Sequence, residues 1–406
     1  LYMWDTKQAK RKLILRITAV VLTLTCLVGA VTFAIVKRPF NSDFEIVDQL
    51  GGNIFPSAIL SVATTDTQII QPIEGGECLG NAKSVFAIKL HNAKAGSVLH
   101  IELAETPFYA RSVSTFVLPE ADTDYIVYPD VLWRYDALRN NEQAEPISIV
   151  AQVDINGKDC GQRVRTFSVR SINECLLGYY KQLPNGKRRY VSTRMFYAAY
   201  VNEENPQIDK ILREALNTRI VRRFLGYQGN EQMVDKQVYA LWYVLQKRAF
   251  RYSSVSYSSL SSNVVYSQRV RTFEDALNSS QINCVDGSVL FASLLRAINI
   301  TPVLVQMPGH MFVGYYTDAA KKHLTFLETT MIGDVDLDDY FPDEKLDSVS
   351  TKKSQSEMSR ITFEKSKEYA QREFDRVKAN VLSNKPTYLF VEINKNVRRN
   401  VQSIGK

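Results

Sequence analysis

Three hydrophobic patterns follow one another along this 406-residue chain. Residues 17–36 form a 20-residue run without a charge, dominated by Val, Leu, Ala, Ile, Phe and Thr. At about 1.5 Å per helical residue the run reaches about 30 Å, the hydrocarbon thickness of a bilayer, and so predicts a transmembrane helix over 17–36. Residues 37–67 mix Pro, Gly, Asn, Ser and Thr with little periodicity, which predicts a linker. From 68 to 172 the period becomes two. Stretches 84–90, 98–103 and 147–153 alternate apolar and polar positions, with turn signals such as Asn156-Gly157 between them. Such short alternating runs predict an all-β sandwich of the immunoglobulin-like sort.

From 195 to 395 the period is helical and then mixed. Ile208, Ile211, Leu212, Ala215 and Leu216 make one stripe, and Val234, Val238, Leu241 and Leu245 make the next. A helix is predicted over 285–298, where Val285, Val289, Leu290, Leu294, Leu295 and Ile298 share a face. Phe363, Tyr369, Phe374, Val377 and Val381 mark another over 363–382. Strands are predicted at 301–307, 310–316, 323–328 and 387–393, and loops at 252–262 and 335–339. The fold class expected is therefore α+β for this part, preceded by the sandwich and the membrane helix.

The net charge of +7 changes meaning once it is located. Lys7, Lys10, Arg11, Lys12, Arg16, Lys37 and Arg38 face Asp5 alone in residues 1–38, so the rest of the chain is nearly neutral. A phosphate backbone needs a concentrated basic face, which argues against a nucleic-acid partner. Five basic residues before the apolar run and two after it predict a cytoplasmic tail at 1–16 and an extracytoplasmic remainder. Closure of the run by Lys37-Arg38-Pro39 favours an uncleaved anchor over a cleaved signal peptide. The oxidising exterior allows one disulfide among Cys78, Cys160 and Cys175, with the pairing open. Only four histidines occur, which supplies a His/Cys metal cluster poorly; the sequence predicts no structural zinc and no cofactor.

The chemistry concentrates between 283 and 330. Cys284 precedes the apolar stripe of the helix at 285–298, where unpaired first-turn N–H groups and the helix dipole favour a thiolate and can hold an oxyanion. Asn283 and Asp286 suit the cap. His310 opens a strand after the Pro308-Gly309 turn, and histidine carries protons near neutrality. Glu328 ends the following strand, placed to accept the second imidazole N–H. The pattern Asn283-Cys284-x-Asp286-Gly287, then Leu290-Phe291-Ala292-Ser293-Leu294-Leu295-Arg296-Ala297, Gly309-His310-x-Phe312-Val313 and Leu327-Glu328-x-Thr330 resembles the transglutaminase-like superfamily. That resemblance implies a papain-like core over 195–395 and amide hydrolysis or acyl transfer through a thioester. It implies Cys284 as nucleophile, His310 as base and Glu328 as third member, where the family more often has Asp. It further suggests Gln268 as an oxyanion donor. The expected partners are a peptide or protein substrate in the cell envelope, the membrane through 17–36, and a protein bound by the sandwich. The competing reading is a catalytically inactive binding or assembly protein on the same fold. His323, beside Lys321 and Lys322, is expected to face solvent.

Overall fold

The computed structural model describes Thr23 and residues 43–405, except 121, 249–250, 253–261, 274–275, 278–280, 333–336, 345–352 and 384. The predicted tail 1–16 and, Thr23 apart, the predicted transmembrane helix 17–36 lie outside the described residues, as do most of the loop 252–262 and part of 335–339. Among the described residues no helix is long and apolar enough to cross a membrane. The chain is mixed α and β with several sheets.

Two sheets build the N-terminal part. One has the strand order Phe44–Asp48, Phe86–Ala93, Thr123–Tyr128, Glu77–Gly80; the other runs Asn53–Ile54, Lys158–Val169, Glu145–Ile155, Val98–Leu103, Ser112–Val117. Period-two sequence becomes period-two burial: Ile147, Ile149, Ala151 and Val153 are buried while their neighbours face outward. The inner faces meet where the Phe86 and Phe167 rings lie 5.8 Å apart.

The expected linker 37–67 is corrected here. Phe44–Asp48 pairs antiparallel with Phe86–Ala93, and helix Pro56–Val62 buries Ala58, Ile59 and Val62. The apolar positions are few, but each is matched by a partner far along the chain, which local composition does not display. The boundary at 195 also moves. Strands Glu174–Gln182 and Arg188–Ser192 join Val265–Arg269 in a three-stranded sheet, tying the start of this part to Glu174. The disulfide that the sequence allowed is not formed. Cys78, Cys160 and Cys175 sit on strands of three different sheets, and all are free.

The site rests on a four-stranded antiparallel sheet in the order Leu324–Leu327, His310–Tyr316, Pro302–Met307, Leu389–Glu392. Helix Cys284–Ala297 packs against His310–Tyr316 and Pro302–Met307. The 28-residue helix Gln355–Leu382 covers the sheet as well, where Val303, Val305, Phe312, Phe326, Phe374 and Val377 form a separate small core. Covered on both faces, strand Pro302–Met307 is buried throughout, so its sequence reads as an apolar run without alternation. The C-terminal segment ties the two parts together: Gln402 N–H donates to the Ser61 carbonyl at 2.8 Å and Ile404 N–H to that of Ala199 at 2.9 Å.

Candidate active site

Cys284 is the first residue of helix Cys284–Ala297, as the sequence pattern requires. Asn283 caps it: its side chain accepts the Asp286 N–H at 2.8 Å, and the Asp286 carboxylate reaches back to the Asn283 N–H. The Gly287 N–H goes to the Asn283 carbonyl at 3.0 Å. Asn283 thus takes the Asp286 amide with its side chain and the Gly287 amide with its carbonyl, while the first two amides of the helix, those of Cys284 and Val285, have no partner within it. Asp286 has a second duty. Its carboxylate accepts the Arg271 N–H at 2.9 Å and pairs with the guanidinium at 3.5 Å, docking the segment after strand Val265–Arg269 onto the helix. Burial pushes the Asp286 carboxyl above its usual range, against the opposing hydrogen bonds and charge of Arg271.

His310 stands at the tight turn between its strand and Pro302–Met307, where Met307 and His310 are cross-strand partners. Gly309 takes φ +76° in that turn, a left-handed conformation that glycine adopts without a Cβ penalty. The ring donates from Nε2 to Glu328 Oε2 at 2.6 Å, and the Cys284 side chain is near enough to favour its charged form. With Nε2 committed to the carboxylate, Nδ1 is the ring nitrogen left for a second partner. Desolvation works against a charged ring here. Hydrogen bonds to Cys284 and Glu328, with their charges, outweigh it and raise the His310 pKa to about 10.

Glu328 is fully buried, and the structure surrounds it with donors. Oε1 accepts the Thr330 N–H at 3.0 Å and the Thr330 hydroxyl at 2.7 Å, while Ser366 Oγ accepts the Glu328 N–H at 3.1 Å. The carboxylate caps the short turn Thr329–Met331, so its geometry is fixed by the backbone that follows it. The extra methylene relative to aspartate leaves it at hydrogen-bonding distance from His310. Gly287 explains how the helix comes close enough: a Cβ there would lie 2.8 Å from Thr329 Oγ1.

Of the three residues expected to act together, His310 and Glu328 are hydrogen-bonded, and Cys284 stands at the helix start and influences the same ring. Gln268 lies on strand Val265–Arg269, three residues before the Arg271 that docks at the helix end, and its Nε2 donates to the Arg269 carbonyl at 3.1 Å. The sequence reading missed several supports. Thr330 stood in the pattern, and a carboxylate two residues before a threonine could have been read as a local cap. Ser366 lies on a distant helix and gave no signal. Tyr197 was also missed. Its hydroxyl donates to Gln306 Oε1 at 2.7 Å, Gln306 Nε2 donates to Tyr266 OH at 3.0 Å, and the buried phenol feels the charge of Cys284. His323 faces solvent as expected, with its Nδ1 2.7 Å from Glu231 Oε1. No protein-family model and no curated protein sequence matches this chain.

Proposed function

We propose that this protein is a thiol enzyme acting on amide bonds of peptide or protein substrates, with Cys284 as nucleophile, His310 as acid and base, and Glu328 as the positioning carboxylate. The observation that carries this reading is the imidazole hydrogen-bonded to the buried Glu328 with the Cys284 side chain near enough to favour its charged form. In the reaction the Cys284 thiolate attacks the substrate carbonyl carbon, and the helix-end amides stabilise the oxyanion. Collapse of that adduct breaks the C–N bond as His310 Nδ1–H protonates the leaving amine. A thioester remains on Sγ. Water or a second amine, deprotonated by the now neutral His310, attacks the thioester and releases the thiol. Glu328 keeps Nε2 protonated and the ring in plane throughout.

The transglutaminase-like, papain-like reading of residues 195–395 belongs to the same proposal, supported by the order of helix, hairpin and strand end that carries the three residues. The sandwich then acts as a spacer or a binding module. The charge-free run 17–36 with its basic flanks supports an anchor that holds the enzyme outside the membrane. Protease added to intact spheroplasts should then digest the chain beyond residue 39; protection would refute that orientation.

The catalytic reading is tested by labelling with iodoacetamide at pH 6. The wild type should be alkylated at Cys284, His310→Ala should react at least tenfold more slowly, and Cys284→Ala should remain unlabelled at that position. Equal rates in wild type and His310→Ala would mean an inert thiol and would leave the binding-protein reading in its place.

A further inference from the structure

The hydrogen-bond chain that begins at His310 does not end at Glu328. Oε2 of that carboxylate accepts the imidazole N–H at 2.6 Å, and Oε1 accepts the Thr330 hydroxyl at 2.7 Å. Thr330 Oγ1 lies in turn 2.9 Å from the phenol oxygen of Tyr340. Two hydroxyl oxygens at that distance need a proton between them. Thr330 has a single hydroxyl proton, already given to the carboxylate, so the proton in this contact is the phenol's. The direction of the chain is thereby fixed. Tyr340 donates to Thr330, Thr330 donates to Glu328, and the other carboxylate oxygen accepts from His310.

The outer end of the chain is held by the same element as the inner one. Tyr340 follows the short turn Leu337–Asp339, and its N–H donates to the Leu337 carbonyl at 3.1 Å. Helix Gln355–Leu382 meets both ends with three residues spaced three apart, which share a face. Ser366 accepts the Glu328 N–H, the Tyr369 ring meets the Tyr340 ring edge-on at 5.1 Å, and Arg372 donates to the Tyr340 carbonyl at 3.3 Å. One rigid helix therefore sets the distance between the carboxylate and the phenol. Glu328 and Thr330 are buried and Tyr340 is half-buried, so water competes little along the chain.

We propose that Tyr340 is a positioning residue for the Glu328–His310 pair, acting through the Thr330 hydroxyl. A hydroxyl that accepts a hydrogen bond becomes a stronger donor. Tyr340 thus tightens the hold of Thr330 on Oε1, keeps Oε2 aimed at the ring and draws negative charge away from Oε2. Without the phenol proton Oε2 carries more of the charge and holds the imidazole proton to higher pH. The catalytic meaning of this role rests on the thiol-enzyme reading above; the coupling itself does not.

Titration of the ring by NMR tests it, on the detergent-solubilised full chain labelled with ¹⁵N-histidine. Only four histidines give signals, and His310→Gln identifies the one concerned. Tyr340→Phe, which keeps the aromatic ring, should raise the His310 midpoint by about 0.1–0.7 of a pH unit, one cooperative step on a hydrogen bond to a charged group. Thr330→Val should raise it further, and adding Tyr340→Phe to that variant should then change nothing. Thr330→Ser keeps the hydroxyl and should keep the response to Tyr340→Phe. With an amide substrate Tyr340→Phe should lower kcat by at most about fivefold at unchanged KM. A midpoint that stays or falls in Tyr340→Phe overturns the proposal, as does a rise that is equally large with valine at position 330. An inert Cys284 in the alkylation experiment would sink the thiol reading and leave the midpoints, and the coupling they report, standing.

Discussion

Two histidines in this chain meet carboxylates at nearly the same distance and differ in everything else. His310 Nε2 lies 2.6 Å from Glu328, and His323 Nδ1 lies 2.7 Å from Glu231, with Asp318 a further carboxylate at 3.6 Å. The second group even places its ligand atoms within 4.8 Å of one another, as a metal site would. Yet the His323 and Glu231 side chains are 63% and 51% exposed, against 20% and 0% for His310 and Glu328. Water competes for every contact of the exposed group, and such pairs are worth at most about 1 kcal/mol. The buried pair has no such competitor. Its carboxylate is held by Thr330 and by the turn it caps, and its imidazole is influenced by the Cys284 side chain as well. A short distance alone does not make a strong contact; a short distance among buried groups that cannot relax does.

The sharpest way to break this comparison is to remove each histidine in turn. His310→Ala should lower turnover of an amide substrate by about 10²–10⁴-fold, the range of a lost general acid–base. His323→Ala should change it less than about twofold, because a solvated pair on the far end of the strand positions nothing. Comparable losses in kcat for the two variants would erase the distinction drawn here. Cys284→Ser should sit at or below the His310→Ala rate, and the double variant should be no slower than the worse single, since members of such a set act as a unit.

How far the sequence carried this picture depends on how local each signal was. Cys284 was legible because a capping residue, an apolar stripe and the cysteine stand together in one turn. His310 was legible because a Pro-Gly turn fixes which residue opens the strand. Glu328 needed only the next strand of the same hairpin. Strand Phe44–Asp48 was not legible, because five residues carry little periodicity and their partner lies about forty residues further on. The same holds for Ser366, which steadies Glu328 from a helix folded back over the sheet. Tyr197 and Gln306 meet across 109 positions, and neither residue type nor spacing announces that contact. Long-range satisfaction of buried polar groups is the part of a site that pattern reading does not reach.

The next effect is on stability. Glu328→Ala leaves the Thr330 donors and the His310 ring facing a void in the interior. Breaking a buried, hydrogen-bonded ion pair from one side costs about 3–5 kcal/mol, and urea denaturation at pH 7 should show a loss of that size. Glu231→Ala removes the equally short exposed pair and should cost less than about 1 kcal/mol. Glu328→Asp is the finer probe. It should keep folding stability within about 1–2 kcal/mol and lower turnover by stretching the contact to Nε2; full activity would mean that the carboxylate position is not critical.

The raised pKa of His310 gives the comparison a pH axis. A histidine whose folded pKa is about 10 against an unfolded value near 6.5 adds stability that is complete below about pH 6.5 and is lost as pH rises through 10. Denaturation free energies measured between pH 7 and 10.5 should therefore fall for the wild type. They should fall less for His310→Gln, and also for Cys284→Ala, in which one of the groups that favour the imidazolium is gone. Identical pH profiles in wild type and His310→Gln would mean that the ring carries no such charge.

The smallest effect expected is at Gly287, which sets how closely the thiol-bearing helix approaches the carboxylate-bearing turn. Alanine would place a methyl group 2.8 Å from Thr329 Oγ1 and 3.1 Å from its Cβ, in a site where Thr329 is fully buried. Overpacking of this kind costs about 1–3 kcal/mol, while alanine returns up to about 1 kcal/mol of helix propensity over glycine. The net loss should be no more than about 2 kcal/mol, and it should come with slower alkylation of Cys284 as the helix end backs away from His310. Thr329→Ala removes the colliding hydroxyl, so the double variant should be more stable than the sum of the single changes by about 0.5 kcal/mol or more. Strict additivity in that cycle would show that the helix start and the Glu328 turn are not in register contact, and would detach the thiol from the group that orients its base.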